Sequence, residues 1–296
     1  MRAIRLKAEG LDGLAAEQIA TPEPGAGEAL VRVHAAAITR DELEWPTDRL
    51  PAIPSYELSG VVVAAGPGAD ESLVGEAVYA LTAFDRDGAA ADYAVVPAEL
   101  LAPKPRQLGH VESAAIPLAA LSAWQALFDH GQLAEGERVL IHGATGGVGQ
   151  FATQLAHERG AHVIATVSTR NVDSARALGA DEVIDHTTTR FEDAVDPVDL
   201  VFDTAGGDNL QRSPAVLREG GRLVSVAEET PDGGVYFVVE PNREQLLKIA
   251  ARVDAGTLRP TIDQVFELPD ARAAFERSQE RGTRGKVVLR VAGEEA

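Results

Sequence analysis

Short apolar stretches broken by proline and glycine run through the first third of the chain. ALVRVHAAAI and SGVVVAAG fall between Glu28 and Gly66, with Pro46, Pro51 and Pro54 in the loop between them. Gly66-Pro67-Gly68 closes the second stretch, and VGEAVYALT and ADYAVVP continue the texture to about Pro97. Apolar runs of this length bounded by turn residues predict β-strands, here a compact β-barrel or β-sandwich.

The pattern changes near Val111. ESAAIPLAALSAWQALFDH sets apolar residues at helical spacing, and Gly131 stands where that helix would stop. Strand and helix then alternate. Strands are expected at Arg138–Gly143, His162–Ser168, Glu182–Asp185, Val198–Asp203, Leu223–Val226 and Val235–Val239. Helices are expected at Val148–Arg159, at Val172–Leu178 up to Gly179, at Leu210–Leu217 up to Gly220-Gly221, and at Glu244–Ala255. Strands that are almost wholly apolar and joined by helical crossovers predict a doubly wound parallel sheet, so the fold class is α/β. The tail reads strand, helix, strand over Gln264–Phe266, Pro269–Gln279 and Lys286–Val291, and is expected to return to the first half.

Composition narrows the function. The 296 residues are 45% hydrophobic and 25% charged, a globular balance, and the length suits roughly two domains. Lys and Arg number 27 against 46 Asp and Glu, a formal charge of −19. Such a surface disfavours nucleic acid and anionic membranes, both of which need clustered cations. There is no cysteine, which excludes disulfides and thiolate-bound zinc or iron–sulfur centres. The start, MRAIRLKAEG, has no apolar leader core, so a cytoplasmic location is expected.

The chemistry-bearing motif is Gly143-Ala144-Thr145-Gly146-Gly147-Val148-Gly149, between an apolar strand and a helix. Glycines in such a turn let the backbone approach a pyrophosphate, and the helix N-terminus offers it N–H groups and a favourable dipole. The same turn could serve packing alone; the strand–turn–helix–strand context favours a dinucleotide. After the next strand comes Ser168-Thr169-Arg170, with no acid to bond a ribose 2′-hydroxyl. Ser168 and Arg170 suit a 2′-phosphate, so NADPH is the expected cofactor, although Arg170 also reads as an ordinary surface residue.

Together GATGGVG, PLAALSAW and the closing GKVVL form a specific combination, and GEALVRVHAAAI, PAIPSYELSGVV, DLVFDTAGG and GGRLVSVA extend it along the chain. The sequence resembles the medium-chain dehydrogenase/reductase superfamily, in its zinc-free quinone oxidoreductase branch. The resemblance implies a GroES-like β-barrel catalytic domain from residues 1–115 and 257–296, a Rossmann dinucleotide-binding domain over 116–256, and an active site in the cleft between them. It implies that Thr145, Gly146, Gly147, Val148 and Gly149 cradle the pyrophosphate and that Ser168 and Arg170 face the adenosine phosphate. Ala205 would lie near the adenine or ribose, Val226 toward the nicotinamide, and Ser122 near it. Lys286 would either contribute to the cofactor site or act structurally.

Zinc-dependent relatives carry a Gly-His-Glu motif where this chain has Ser55-Tyr56-Glu57, and a phenol is a poor zinc ligand. No metal is expected. Without a Lewis acid, hydride addition to an electrophilic acceptor is the easier chemistry, so the implied activity is reduction of a quinone or an α,β-unsaturated carbonyl. Tyr56 either donates to the acceptor oxygen or is a packed aromatic with its hydroxyl satisfied locally. Thr39, in an atypical Thr39-Arg40-Asp41-Glu42 stretch, is a second candidate donor. Asp41 and Glu42 read as solvated or capping charges, and Trp45 as a pocket wall or a cover for the core. The alternatives are an enoyl or ketone reductase of a biosynthetic pathway, a weaker zinc alcohol dehydrogenase, and a non-catalytic NADPH-binding protein. The apolar segment Val235–Val239, at the end of the sheet, is expected to pair with its copy in a homodimer.

Overall fold

A computed structural model describes residues 1–45, 48–231, 233–280 and 282–293; Pro46 lies outside them. The chain divides into two compact units: Met1–Leu118 with Pro241–Gly256 and Pro260–Ala296, and Ala119–Glu240 with Thr257–Arg259.

The first unit is built on the long strand Glu28–Ile38. One edge of it pairs antiparallel with Glu57–Ala65 along nearly its whole length. The other edge takes Tyr93–Pro97 beside its first half and Lys286–Arg290 beside its second. The tail strand Ile262–Glu267 lies parallel to Lys286–Arg290, so the tail joins strands of the first third in one seven-stranded sheet, as expected, while Arg2–Leu6 and Leu14–Gln18 pair in a sheet of their own. Among the described residues the pairings of the larger sheet run from Ile262–Glu267 to Ala102–Pro103, with Tyr93–Pro97 branching off Glu28–Ile38. Val31, Val33, Leu58, Val62, Phe275 and Leu289 are among the buried residues of this unit's core.

Helix Arg243–Ala255 also belongs to the first unit, where sequence order suggested the dinucleotide domain. Asn242 caps it by accepting the N–H of Gln245, and Gly256 ends it with φ of 79°. The helix is tied down by the Tyr79 hydroxyl donating to Leu246 O at 2.5 Å and by Arg243 donating to Leu101 O at 2.7 Å. Tertiary anchors, invisible to local pattern, decide its place.

The second unit holds a six-stranded, wholly parallel sheet. In space the strands run Glu182–Asp185, His162–Val167, Arg138–His142, Val198–Asp203, Leu217–Ser225, Val235–Tyr236. Counted in chain order this is 3-2-1-4-5-6, the doubly wound arrangement with a reversal beside its first strand. Leu140, Ile164, Val201 and Leu223 are buried with the helix residue Leu210, which is why these strands read as unbroken apolar runs. The helix after Val198–Asp203 spans Gly207–Arg212, earlier than its apolar spacing implied. Pro214 lies in a tighter turn that follows, and Gly220-Gly221 fall inside the next strand. No helix among the described residues is long and apolar enough to cross a membrane.

Candidate active site

In the second unit, all but one of the cofactor candidates sit just beyond the carboxyl ends of neighbouring parallel strands. The turn 143–149 follows Arg138–His142, Ser168 follows His162–Val167, Ala205 follows Val198–Asp203, and Val226 follows Leu217–Ser225. This edge, at the reversal of strand order, is where open α/β sheets bind ligands. The turn has the required shape. Gly143 has φ of 70°, and a Cβ there would meet Thr204 Oγ1 at 2.6 Å. A Cβ on Gly149 would meet the Gly143 carbonyl oxygen at 2.1 Å, so the helix can start close against the strand only with hydrogen there. Helix Gly149–Glu158 starts directly from the turn, with the N–H of Gln150 donating to Gly146 O at 3.1 Å and that of Phe151 to Val148 O at 3.0 Å, and places the positive end of its dipole there.

The edge is braced from behind. Buried Asp203 accepts the N–H of Gly206 at 2.9 Å and the Ser225 hydroxyl at 3.0 Å, tying two strand ends together. Burial pushes its carboxyl up, against those donors. His142, fully buried, bridges Thr166 Oγ1 at 2.9 Å and Ser213 Oγ at 3.1 Å. Burial lowers its pKa to about 4, so it is a neutral structural brace. Ser168 is half-buried and Arg170 exposed. Between them Thr169 donates to Asp185 Oδ2 at 2.6 Å, and Thr187 donates to Oδ1 at 2.6 Å. Those bonds hold the Asp185 carboxyl below its usual range and set a negative charge beside the phosphate candidates. Ser122 is buried on helix Pro117–Trp124.

The remaining candidates lie in the first unit. Lys286 is buried, forms an ion pair with Glu57 and donates to Thr39 Oγ1 at 3.2 Å. Glu57 in turn accepts the N–H of Leu118 at 2.9 Å. Glu42, read from sequence as a solvated or capping charge, is fully buried. Its carboxyl accepts the N–H of Thr39 at 3.2 Å and the N–H of Ser55 at 3.1 Å. Two buried carboxyls thus face one ammonium, and desolvation raises Glu42 to about 8 despite Lys286. Ser55 has φ of 68°, a left-handed backbone that a non-glycine residue holds only under constraint.

That strained residue delivers Tyr56, which is fully buried. Its ring lies 5.7 Å from Trp45 and 5.3 Å from Phe84, and Trp45 packs edge-on to Phe84 at 5.2 Å. Its hydroxyl accepts a hydrogen bond from Arg49 Nη2 at 2.6 Å. Burial raises the phenol to about 12, so it stays protonated. Arg49 and Glu42 are the residues that sequence reasoning missed; neither stands in a motif, and only tertiary packing exposes their roles.

Family models match residues 25–106, described as an alcohol dehydrogenase GroES-like domain, and residues 178–289, described as a zinc-binding dehydrogenase. A probable mitochondrial zinc-binding oxidoreductase of Arthroderma benhamiae is 34% identical over 302 residues, covering 92% of this chain and 91% of the relative. The chloroplastic NADPH-dependent alkenal/one oxidoreductase of Arabidopsis thaliana is 33% identical over 298 residues, covering 95% and 76%. The solved quinone oxidoreductase of Coxiella burnetii superposes with a TM-score of 0.93 at 30% identity, covering 98% and 99%. A GroES-like unit and a glycine turn at the switch point of a parallel sheet define a nicotinamide-dependent oxidoreductase. The chain belongs to the medium-chain dehydrogenase/reductase superfamily, in its quinone oxidoreductase branch.

The two groups this family uses fare differently. The glycine cradle and helix N-terminus fit a nicotinamide dinucleotide. Zinc finds no such fit: the chain has no cysteine, and among the described residues no cluster of three or more His, Cys, Asp or Glu could hold a metal ion.

Proposed function

We propose that the chain is an NADPH-dependent reductase that delivers hydride to a quinone or an α,β-unsaturated carbonyl without zinc. The observation that carries this reading is the strand-end edge, with its glycine turn beside a position, Ser168 to Arg170, that holds no acid. Residues 145–149 bind the pyrophosphate through backbone N–H groups and the helix dipole. Ser168 and Arg170 take the 2′-phosphate by hydrogen bond and charge. Ala205, Val226 and Ser122 line the rest of the cofactor, and Lys286 is held ready by Glu57 and Thr39. The bound dinucleotide supplies the hydride. Tyr56 and Thr39 each accept a hydrogen bond, from Arg49 and Lys286 respectively, and keep a hydroxyl hydrogen for an acceptor oxygen that gains charge as the hydride arrives.

The test is a titration of NADPH against NADH for wild type and Arg170→Ala, followed by a panel of quinones, enones and enoyl thioesters. Preference for NADPH that Arg170→Ala removes, with turnover of quinones or enones, supports the reading. Equal affinity for both coenzymes in wild type overturns the phosphate assignment. Turnover of enoyl thioesters alone moves the protein to the biosynthetic reductases, and tight binding with no turnover makes it a non-catalytic NADPH-binding protein. Stoichiometric zinc in the purified protein overturns zinc independence.

We further propose a homodimer through the sheet edge at Val235–Tyr236, where Val235, Tyr236 and Val238 are exposed. A monomeric mass by sedimentation at micromolar concentration rejects it.

A further inference from the structure

The environment of the Tyr56 hydroxyl is asymmetric. Its oxygen accepts from Arg49 Nη2 at 2.6 Å, while its own hydrogen has no acceptor among the described residues, although the side chain is fully buried. Buried hydroxyl hydrogens are ordinarily spent, and one left over in a braced setting marks the place of an absent acceptor. The brace is extensive. Arg49 Nη2 also donates to Phe84 O at 2.9 Å, its guanidinium carbon stands 5.9 Å from the Tyr56 ring centroid, and Nη1 lies 3.9 Å from Asp87 Oδ1. Asp87 itself accepts the N–H of Ile53 at 2.9 Å, so the guanidinium is anchored to the backbone on both sides. Trp45 and Phe84 hold the ring, and Ser55 holds the backbone before it.

We propose that Arg49 is a positioning residue that grips the Tyr56 phenol by its oxygen, aims the phenolic hydrogen at the acceptor's carbonyl oxygen and polarises that O–H bond. A cation donating to a hydroxyl strengthens the hydroxyl as a donor in turn, because the two bonds polarise one another in a dry site. The charge and hydrogen bond of Arg49 pull the phenol's pKa down, opposing the burial and the Glu42 carboxylate that hold it up. The acceptors that gain most are flat conjugated carbonyls whose oxygen is a weak base until the hydride lands: quinones and enones. Packed aromatic rings beside the hydroxyl suit the same molecules. This inference rests on the reading of Tyr56 as the donor to the acceptor, and its test separates the two.

Tyr56→Phe, Arg49→Met, Arg49→Lys and the Arg49→Met/Tyr56→Phe pair are compared with wild type, with NADPH, 1,4-naphthoquinone and but-3-en-2-one. The Kd for NADPH reports an intact fold and should not move, while thermal melts of the Arg49 variants fall by only about a few degrees for the donor removed from Tyr56 and Phe84 O. Tyr56→Phe is expected to lower kcat about a hundredfold, in the range that follows removal of a transition-state donor, and Arg49→Met roughly tenfold, because it weakens that donor without removing it. Arg49→Lys restores part of that loss. The double variant is no slower than Tyr56→Phe, because Arg49 acts only through the phenol. Penalties that multiply in the double variant overturn the proposal, as does full activity in Arg49→Met beside an impaired Tyr56→Phe. Full activity in Tyr56→Phe overturns the donor reading itself.

Infrared difference spectra of bound naphthoquinone give a readout independent of turnover. A carbonyl band shifted to lower frequency in wild type, less shifted in Arg49→Met and unshifted in Tyr56→Phe supports the proposal. A band equally shifted in wild type and Arg49→Met refutes it.

Discussion

The carboxyl of Glu42 accepts the backbone N–H of Ser55 at 3.1 Å, and Ser55, with φ of 68°, is a left-handed non-glycine residue that leads directly into Tyr56. A carboxyl thirteen positions upstream therefore holds a strained backbone in place. It does so fully buried, with Lys286 already paired to Glu57.

That burial makes stability depend on pH. Glu42 is raised from 4.5 to about 8 in the folded chain, so the folded state keeps a proton that the unfolded chain releases above 4.5. The favourable contribution is complete below 4.5 and is lost as pH rises toward 8, on the order of a few kcal/mol. Denaturant melts of wild type and Glu42→Gln should diverge in favour of the variant across that window, whatever their offset at pH 5. A constant difference from pH 5 to 9 would refute the buried, protonated carboxyl.

His142 acts at the opposite end of the scale. Ser213 spends its hydroxyl hydrogen on Asn209 O at 2.7 Å, so His142 Nε2–H must donate to Ser213 Oγ while Nδ1 accepts from Thr166. This neutral tautomer has a pKa lowered from 6.5 to about 4, chiefly by burial. Its stabilising contribution is intact above 6.5 and disappears as pH falls toward 4, amounting to about 3 kcal/mol. Nuclear magnetic resonance titration should find this ring uncharged at pH 5. A ring that titrates near 6.5 would contradict the network.

How much of this was legible in the sequence varies with how local each feature is. Strands Glu182–Asp185 and Val198–Asp203 have the ends the sequence predicted; the second is buried throughout, as a parallel strand covered on both faces is, while the first lies at the sheet edge, mostly half-buried. The helix expected over Leu210–Leu217 instead occupies Gly207–Arg212, since apolar spacing cannot tell a helix from a tight turn feeding a strand. Helix Arg243–Ala255 was visible, but its unit was not, because Tyr79 and Leu101 anchor it from far along the chain. The glycine turn was the clearest functional signal. Glu42 misled because charge alone predicts exposure, whereas Ser55 and Thr39 supply the donors that permit burial. Arg49 carried no signal.

Asp185 should work against the phosphorylated coenzyme. Its carboxylate is bonded to Thr169, between the two residues assigned to the 2′-phosphate, and like charge there weakens phosphate binding. Asp185→Asn is expected to tighten NADPH roughly threefold to tenfold with little change for NADH, a range typical of one partly screened charge. Fluorescence titration of both coenzymes decides. Equal gains for the two would show that the carboxylate does not face the phosphate.

Gly149→Ala is the sharpest test of the turn. Backbone φ at this position is ordinary for any residue, so the cost comes from the added methyl, which would sit 2.1 Å from the Gly143 carbonyl oxygen and 2.8 Å from the Ala144 Cα. Both atoms are backbone, so they give way only if the strand–turn–helix junction opens. The phosphate-facing N–H groups then move off target, and binding that depends on their alignment weakens about tenfold or more, as for a misplaced charge-assisted contact. The first unit, with its separate core, should keep its fold, so circular dichroism should change little while calorimetry registers the loss of coenzyme affinity for NADPH and NADH alike. Unchanged affinity in a folded Gly149→Ala protein would remove the turn from the binding site.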